Sequence, residues 1–172
     1  MLMMTPSESA AAVPSGQWAS LLLSLAVTAL AAALGAAASL TARDFYGVLL
    51  KPTWAPPPGV FGPTWTVLYA CMAVAAWLVW RAGGPGAAKS PLALYLVQLA
   101  LNALWSWLFF GWHLGGWAVL EIVALWFILL LTLVSFWRVR AVAGLLLLPY
   151  WAWVTFAMAL TAAVWRRNPG VL

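Results

Sequence analysis

Long apolar runs alternate with short polar breaks or breaks rich in glycine and proline along nearly the whole chain. The first run, Trp18 to Leu40, is long enough to cross roughly 30 Å of hydrocarbon as a helix. A second extends from about Pro63 to Trp80 and stops at Arg81, where Gly83-Gly84-Pro85-Gly86 is a strong breaker. A third starts near Pro91 and ends at Gly111, and Gly115-Gly116 break the pattern again. The fourth covers Trp117 to Phe136 and is followed by Arg138 and Arg140. The fifth occupies Val142–Trp165, closed by Arg166, Arg167 and Asn168; Pro149 inside it predicts a kink or a late, tightened first turn. The pattern predicts an all-α integral membrane protein, a bundle of five transmembrane helices without an internal repeat. Residues 1–17, small and polar with Pro6, Pro14 and Gly16, read as a disordered N-terminus. Residues 18–168 read as a single five-helix transmembrane domain. Ala36-Ala37-Ala38 would suit a signal-peptide cleavage site, but no Lys or Arg precedes the first run and it exceeds an ordinary signal core, so a retained span is expected.

The break between the first two spans is of another kind. Residues 43–62 show no helical pattern, and connectors of that size are usually functional. Pro52, Pro56, Pro57 and Pro58 fix φ and remove backbone donors, which favours a stiff, extended course near polyproline II rather than a floppy linker. Pro63 fits the first turn of the following helix, and Trp65, Tyr69 and Met72 then fall on one face. The stretch Lys51–Tyr69 therefore reads as a rigid lid over something the helices surround.

Composition agrees with a membrane chain and excludes several functions. Of 172 residues, 66% are hydrophobic and 6% charged, with mean hydropathy +1.00, so the chain cannot cover itself with polar surface in water. The net charge of +5 comes from basic residues scattered between spans, and no cluster is dense enough for nucleic acid. Arg81, Lys89, Arg138 and Arg140 fall on the N-terminal side; Arg43, Lys51, Arg166 and Arg167 fall on the other. Four against four leaves orientation open under the positive-inside rule. Cys71, the sole cysteine, permits no intrachain disulfide, and the lone His113 has no neighbouring ligand type for a metal site.

Polar and aromatic residues inside the spans supply the candidate site. Tyr95, Gln98, Asn102, Trp105 and Phe109 form one helical stripe on the third span, opposite Leu, Val and Ala, including Ala93, Ala100 and Ala103. Uncharged amides in hydrocarbon need partners, so Gln98 and Asn102 should face other helices or a ligand. On the fifth span Tyr150, Trp153, Ala157 and Leu160 share a face, two large rings followed by a small residue that leaves space. Trp117 and Glu121 are i, i+4 neighbours one turn into the fourth span. Glu121 is open to a functional role, to snorkelling or to pairing with a basic loop residue. Of fourteen tryptophans, Trp18, Trp80, Trp112, Trp137 and Trp165 suit an interfacial belt, whereas Trp54, Trp65, Trp105 and Trp153 do not. Flat aromatic walls with a few amides fit a large, flat, mostly apolar ligand. No nucleophile–base pair, phosphate loop or carboxylate pair can be assembled, so no catalytic residue and no conventional acid–base chemistry is expected.

Four segments, FYGVLLKPTWAPP (45–57), FGPTWTVLYACM (61–72), LYLVQLALNALWSWLFFG (94–111) and LLPYWAWVTFAMAL (147–160), with the trailing VWRRN (164–168), resemble the translocator protein family. Its members are also called tryptophan-rich sensory proteins or peripheral benzodiazepine receptors. The resemblance implies a five-helix bundle, often a homodimer, whose pocket is capped by the first connector. It implies a receptor or sensor binding porphyrins such as protoporphyrin IX, synthetic isoquinoline carboxamides and benzodiazepines, and in some members cholesterol. Porphyrin enters as ligand; no cofactor and no metal is expected. The implied pocket includes Trp54, Phe61, Trp65, Gln98, Asn102, Trp105, Trp117, Trp153, Ala157 and Leu160, to which the helical faces add Tyr69 and Phe109. Light-dependent porphyrin oxidation, which some members suggest, and transport of tetrapyrrole or sterol are the alternatives. Lipid contact and a bacterial cell membrane are expected. The chain departs from the family in having Thr161 where Asn is frequent. Ala162-Ala163-Val164-Trp165-Arg166 also lacks the tyrosine of the proposed cholesterol pattern.

Overall fold

Runs of Leu, Ala and Val with almost no interior charges leave the backbone one way to satisfy its donors and acceptors in hydrocarbon, the α-helix. The computed structural model describes residues 15–40 and 42–172, and all regular structure among them is helical. The order is α1 (Ser15–Ala38), α2 (Ala42–Val48), a 3₁₀ turn (Pro58–Val60), α3 (Phe61–Ala87), α4 (Lys89–Ser106), a π-helical turn (Trp107–Gly111), α5 (Gly115–Val139) and α6 (Ala141–Arg167). Five segments of 21 to 30 residues are long and apolar enough to cross a membrane. Residues 1–14, the greater part of the expected unstructured N-terminus, lie outside the described residues, and α1 begins at Ser15.

Two boundaries differ from the sequence expectation. The first connector is not free of helix: α2 and the 3₁₀ turn lie within it. The second membrane helix does not stop at Arg81; α3 continues to Gly84, where φ 56° and ψ −163° break the backbone, and one more turn leads straight into α4. Only glycine takes that conformation without a Cβ penalty, so the breaker acts at one residue rather than four. α6 is continuous through Pro149 to Arg167.

The bundle is solid at one end and hollow at the other. In the solid half, Met72, Ala75, Ala76 and Val79 of α3 pack against Tyr95 and Leu99 of α4, Leu129, Leu133 and Phe136 of α5, and Leu147 and Tyr150 of α6. Alanines on α3 let backbones approach closely, the main source of helix association where lipid removes the hydrophobic drive. Ala103, expected opposite the stripe, is itself buried and faces Gly35 of α1. The outward side of α1 carries Leu22, Leu23, Leu30 and Leu34. Polar ties hold its inward side: Ser24 Oγ donates to the Ala73 carbonyl at 2.6 Å, and the hydroxyls of Thr28 and Tyr95 meet at 2.6 Å. Trp18, Trp80, Trp112, Trp137 and Trp165 all face outward, as a belt at the membrane surfaces requires.

Candidate functional site

Beneath α2 the five long helices part around a cavity of about 580 Å³. α3 contributes Phe61, Trp65 and Tyr69; α4 and its π turn contribute Asn102, Trp105, Ser106, Phe109 and Phe110; α6 contributes Trp153, Ala157 and Leu160. Ile122 and Leu125 of α5, the small residues Ala32, Gly35 and Ala36 of α1, and Ser39 just past its end complete the side walls. Arg43 and Tyr46 of α2, with Pro58 and Gly59, stand at the covered end.

Local physics explains these placements. Trp112 N–H bonds the Trp107 carbonyl at 2.7 Å, five residues back, widening the last turn of α4 by one residue. Phe110 thereby falls one turn beyond Trp105, and the two rings meet edge to face at 5.7 Å while Phe109 stacks on Trp105 at 5.3 Å and 10°. The opposite wall is also ring on ring, with Phe61 against Trp153 at 5.9 Å and Trp65 against Tyr69 at 5.4 Å and Tyr150 at 5.9 Å. At the floor, Tyr69 Oη donates to Asn102 Oδ1 at 2.6 Å and Asn102 Nδ2 donates to Tyr150 Oη at 3.0 Å, tying α3, α4 and α6. Trp105 Nε1–H, Trp153 Nε1–H and the Tyr46 hydroxyl are buried with no hydrogen-bond partner among the described residues.

The lid is anchored by four devices. Lys51 Nζ donates to the carbonyls of Tyr46 at 2.6 Å and Leu49 at 2.9 Å, a cation at the C-terminal end of α2. Asn168, just past α6, imitates a peptide unit: its Oδ1 accepts from Leu50 N–H at 2.8 Å and its Nδ2 donates to Leu50 O at 3.0 Å. His113, at φ 54°, stacks on Phe45 at 4.0 Å and 13°, which gives the lone histidine a packing role. Tyr46 meets Phe61 edge to face at 5.6 Å, and burial pushes its phenol above the usual range.

Of the twelve residues expected at the site, nine line this cavity: Phe61, Trp65, Tyr69, Asn102, Trp105, Phe109, Trp153, Ala157 and Leu160. Three lie elsewhere. Gln98 is fully buried one turn below Asn102, its amide donating to Met72 Sδ at 3.8 Å, in the solid half. Trp54 is half exposed and leans on Phe156 at 5.7 Å, outside the wall. Trp117 is 65% exposed and belongs with the outward tryptophans, because the inward face of α5 is set by Ala118, Ile122 and Leu125. Glu121 turns inward without lining the cavity, and neither carboxyl oxygen has a partner among the described residues, so it neither snorkels nor pairs with a basic loop residue. The α1 face, Arg43, Tyr46 and Phe110 were not legible as site residues. Small residues at 32, 35, 36 and 39 share one helical face and were the available signal; the π turn behind Phe110 leaves none.

Comparison with known proteins agrees with this architecture. A TspO/MBR family profile matches residues 20–166. The chain is similar to the translocator protein of Homo sapiens, 41% identical over 128 residues, covering 73% of this chain and 76% of the relative. It is also similar to protein CrtK of Rhodobacter capsulatus, 42% identical over 127 residues, 73% of this chain and 79% of the relative. A tryptophan-rich sensory protein of Cereibacter sphaeroides is 37% identical over 151 residues, 88% of this chain and 92% of the relative. With five spans of membrane length around a shared hollow and a family match across nearly all of them, this chain is an integral membrane protein and belongs to the TspO/MBR family.

Proposed function

We propose that the chain is a membrane receptor or sensor that holds porphyrin-like tetrapyrroles, and other flat, mostly apolar molecules, in the cavity beneath α2. One observation carries the reading: about 580 Å³ of space, within the roughly 300–1,000 Å³ of ordinary ligand pockets, walled by aromatic rings from three helices and closed by an anchored lid. Rings offer a flat guest both area and stacking. The unpartnered N–H groups of Trp105 and Trp153 and the hydroxyl of Tyr46 are donors that a guest's acceptor atoms would satisfy after small ring rotations. The name of the sensory relative supports sensing over catalysis. A mechanism follows from population shift: a guest stacked on Trp65 and Trp153 favours the closed α2 lid over an open one by its differential contact with the two.

Titration of the detergent-solubilised protein with protoporphyrin IX, followed by tryptophan quenching, tests the proposal. Saturable quenching is expected, and a Trp65→Ala plus Trp153→Ala variant should bind at least about tenfold more weakly, a loss of roughly 1.4 kcal/mol. Equal affinity in the two proteins would remove this cavity as the site.

A further inference from the structure

We propose, on the strength of that ligand reading, that Arg43 selects guests carrying a carboxylate at one edge of an otherwise apolar, planar body. Arg43 is the one charged side chain in the cavity wall among the described residues, standing at its solvent-exposed edge where α2 covers the hollow. Its guanidinium has no hydrogen-bond or ion-pair partner among the described residues. Three other basic groups are engaged, and none of the remaining ones lines the cavity. Lys51 is held by the carbonyls of Tyr46, Gly47 and Leu49; Arg81 lies over the Trp77 ring at 4.7 Å; Arg167 Nη1 donates to Ala163 O at 3.2 Å.

The rest of the wall's polarity is already committed or neutral. Tyr69 and Asn102 are bonded to each other, Ser39 Oγ donates to the Gly35 carbonyl and Thr161 Oγ1 to the Ala157 carbonyl. The cavity is therefore polarised along its length, with neutral rings and a self-paired amide toward the floor and an uncommitted cation under α2. An arginine fork matches a carboxylate with two parallel N–H···O bonds, a geometry a neutral ester cannot reproduce. A guest with that pattern enters body first and leaves its anionic edge under α2, which fixes orientation as well as affinity. A neutral apolar guest fills the same space without using Arg43.

The test compares protoporphyrin IX, a dicarboxylic acid, with its dimethyl ester in phosphatidylcholine nanodiscs, by tryptophan quenching. The wild-type protein is expected to bind the diacid about tenfold tighter than the ester. Arg43→Gln should bind both at the wild-type ester affinity, which also shows that its cavity is intact, and Arg43→Lys should restore part of the preference. Comparing variants in the same membrane cancels the partitioning of each compound into lipid. Equal wild-type affinity for diacid and ester, or a preference that survives Arg43→Gln, would overturn the role of Arg43 while leaving the receptor reading standing. Failure of both compounds to quench the wild type would overturn both. A second arm adds phosphatidylglycerol to separate a guest's carboxylate from a lipid headgroup. An Arg43-dependent diacid preference that persists there supports the cavity guest. An Arg43→Gln variant that loses only phosphatidylglycerol retention, with its diacid-to-ester ratio unchanged, overturns it.

Discussion

Asn102 commits both ends of its amide to phenols on two other helices, so it works at the cavity floor as a tie before it can act as a ligand contact. Each interhelical bond of this kind contributes about 0.6–2 kcal/mol in a membrane protein. Asn102→Leu, which keeps size and removes both bonds, should lower stability by about 1–3 kcal/mol, measured as a lower melting midpoint in detergent. Tyr46 gives a pH-dependent counterpart. Burial raises its phenol above the ordinary tyrosine value, so the folded lid favours the protonated form. That contribution is complete below the unfolded pKa near 10 and is lost as pH rises through the higher folded value. Melting of the wild type should fall more steeply than melting of Tyr46→Phe as pH rises above about 10. Superimposable profiles would show that the buried hydroxyl carries no such linkage.

At the scale of elements, α2 is a seven-residue helix, too short to persist without tertiary contacts. It is held by Lys51 on its last carbonyls, the Phe45–His113 stack and the Asn168 clip on Leu50. Asn168→Ala removes three hydrogen bonds at once, to Leu50 N, Leu50 O and Val164 O. It is expected to make residues 49–57 accessible to limited proteolysis and to weaken porphyrin binding, with the five long helices intact by circular dichroism. A cleavage pattern like that of the wild type would place the lid's stability elsewhere. The seam between α5 and α6 is as demanding: a Cβ on Gly115 would lie 2.6 Å from Trp165 Cδ1 and 2.7 Å from Leu172 Cβ. Gly115→Ala should therefore destabilise by roughly 1–3 kcal/mol, as overpacking of a close contact does.

For the whole molecule, filling the hollow half separates ligand binding from folding. The packed end, around Met72, Leu129, Phe136 and Leu147, joins the long helices away from the cavity, while the other end keeps space under α2. A saturating guest at about 100 times its Kd would raise folded-state stability by about 2.7 kcal/mol through mass action alone. Ala157→Phe projects a ring into the cavity from α6, so it should retain the fold, bind protoporphyrin IX at least about tenfold more weakly and lose the porphyrin-dependent rise in melting midpoint. A variant that kept that rise would place the guest away from Ala157.

Much of this was legible in the sequence because its cause is local or periodic. Apolar runs long enough to span hydrocarbon must be helices, and a stripe such as Tyr95, Gln98, Asn102, Trp105 and Phe109 must share one face, so the five spans and most of the ring wall follow from spacing. Spacing along one helix carries no information on depth. It could not separate Asn102, on the cavity, from Gln98, one turn lower in solid packing. Nor could it tell that Trp54 and Trp117 turn outward while Tyr46 turns in. The π turn after Ser106, the short helix within the proline-rich connector and the Asn168 clip 118 residues from Leu50 depend on contacts between distant segments. The sequence by itself determined which rods form and which side of each is aromatic; only the tertiary structure decided where those sides stop touching and leave room, because a cavity is a relation between helices and no single helix encodes it.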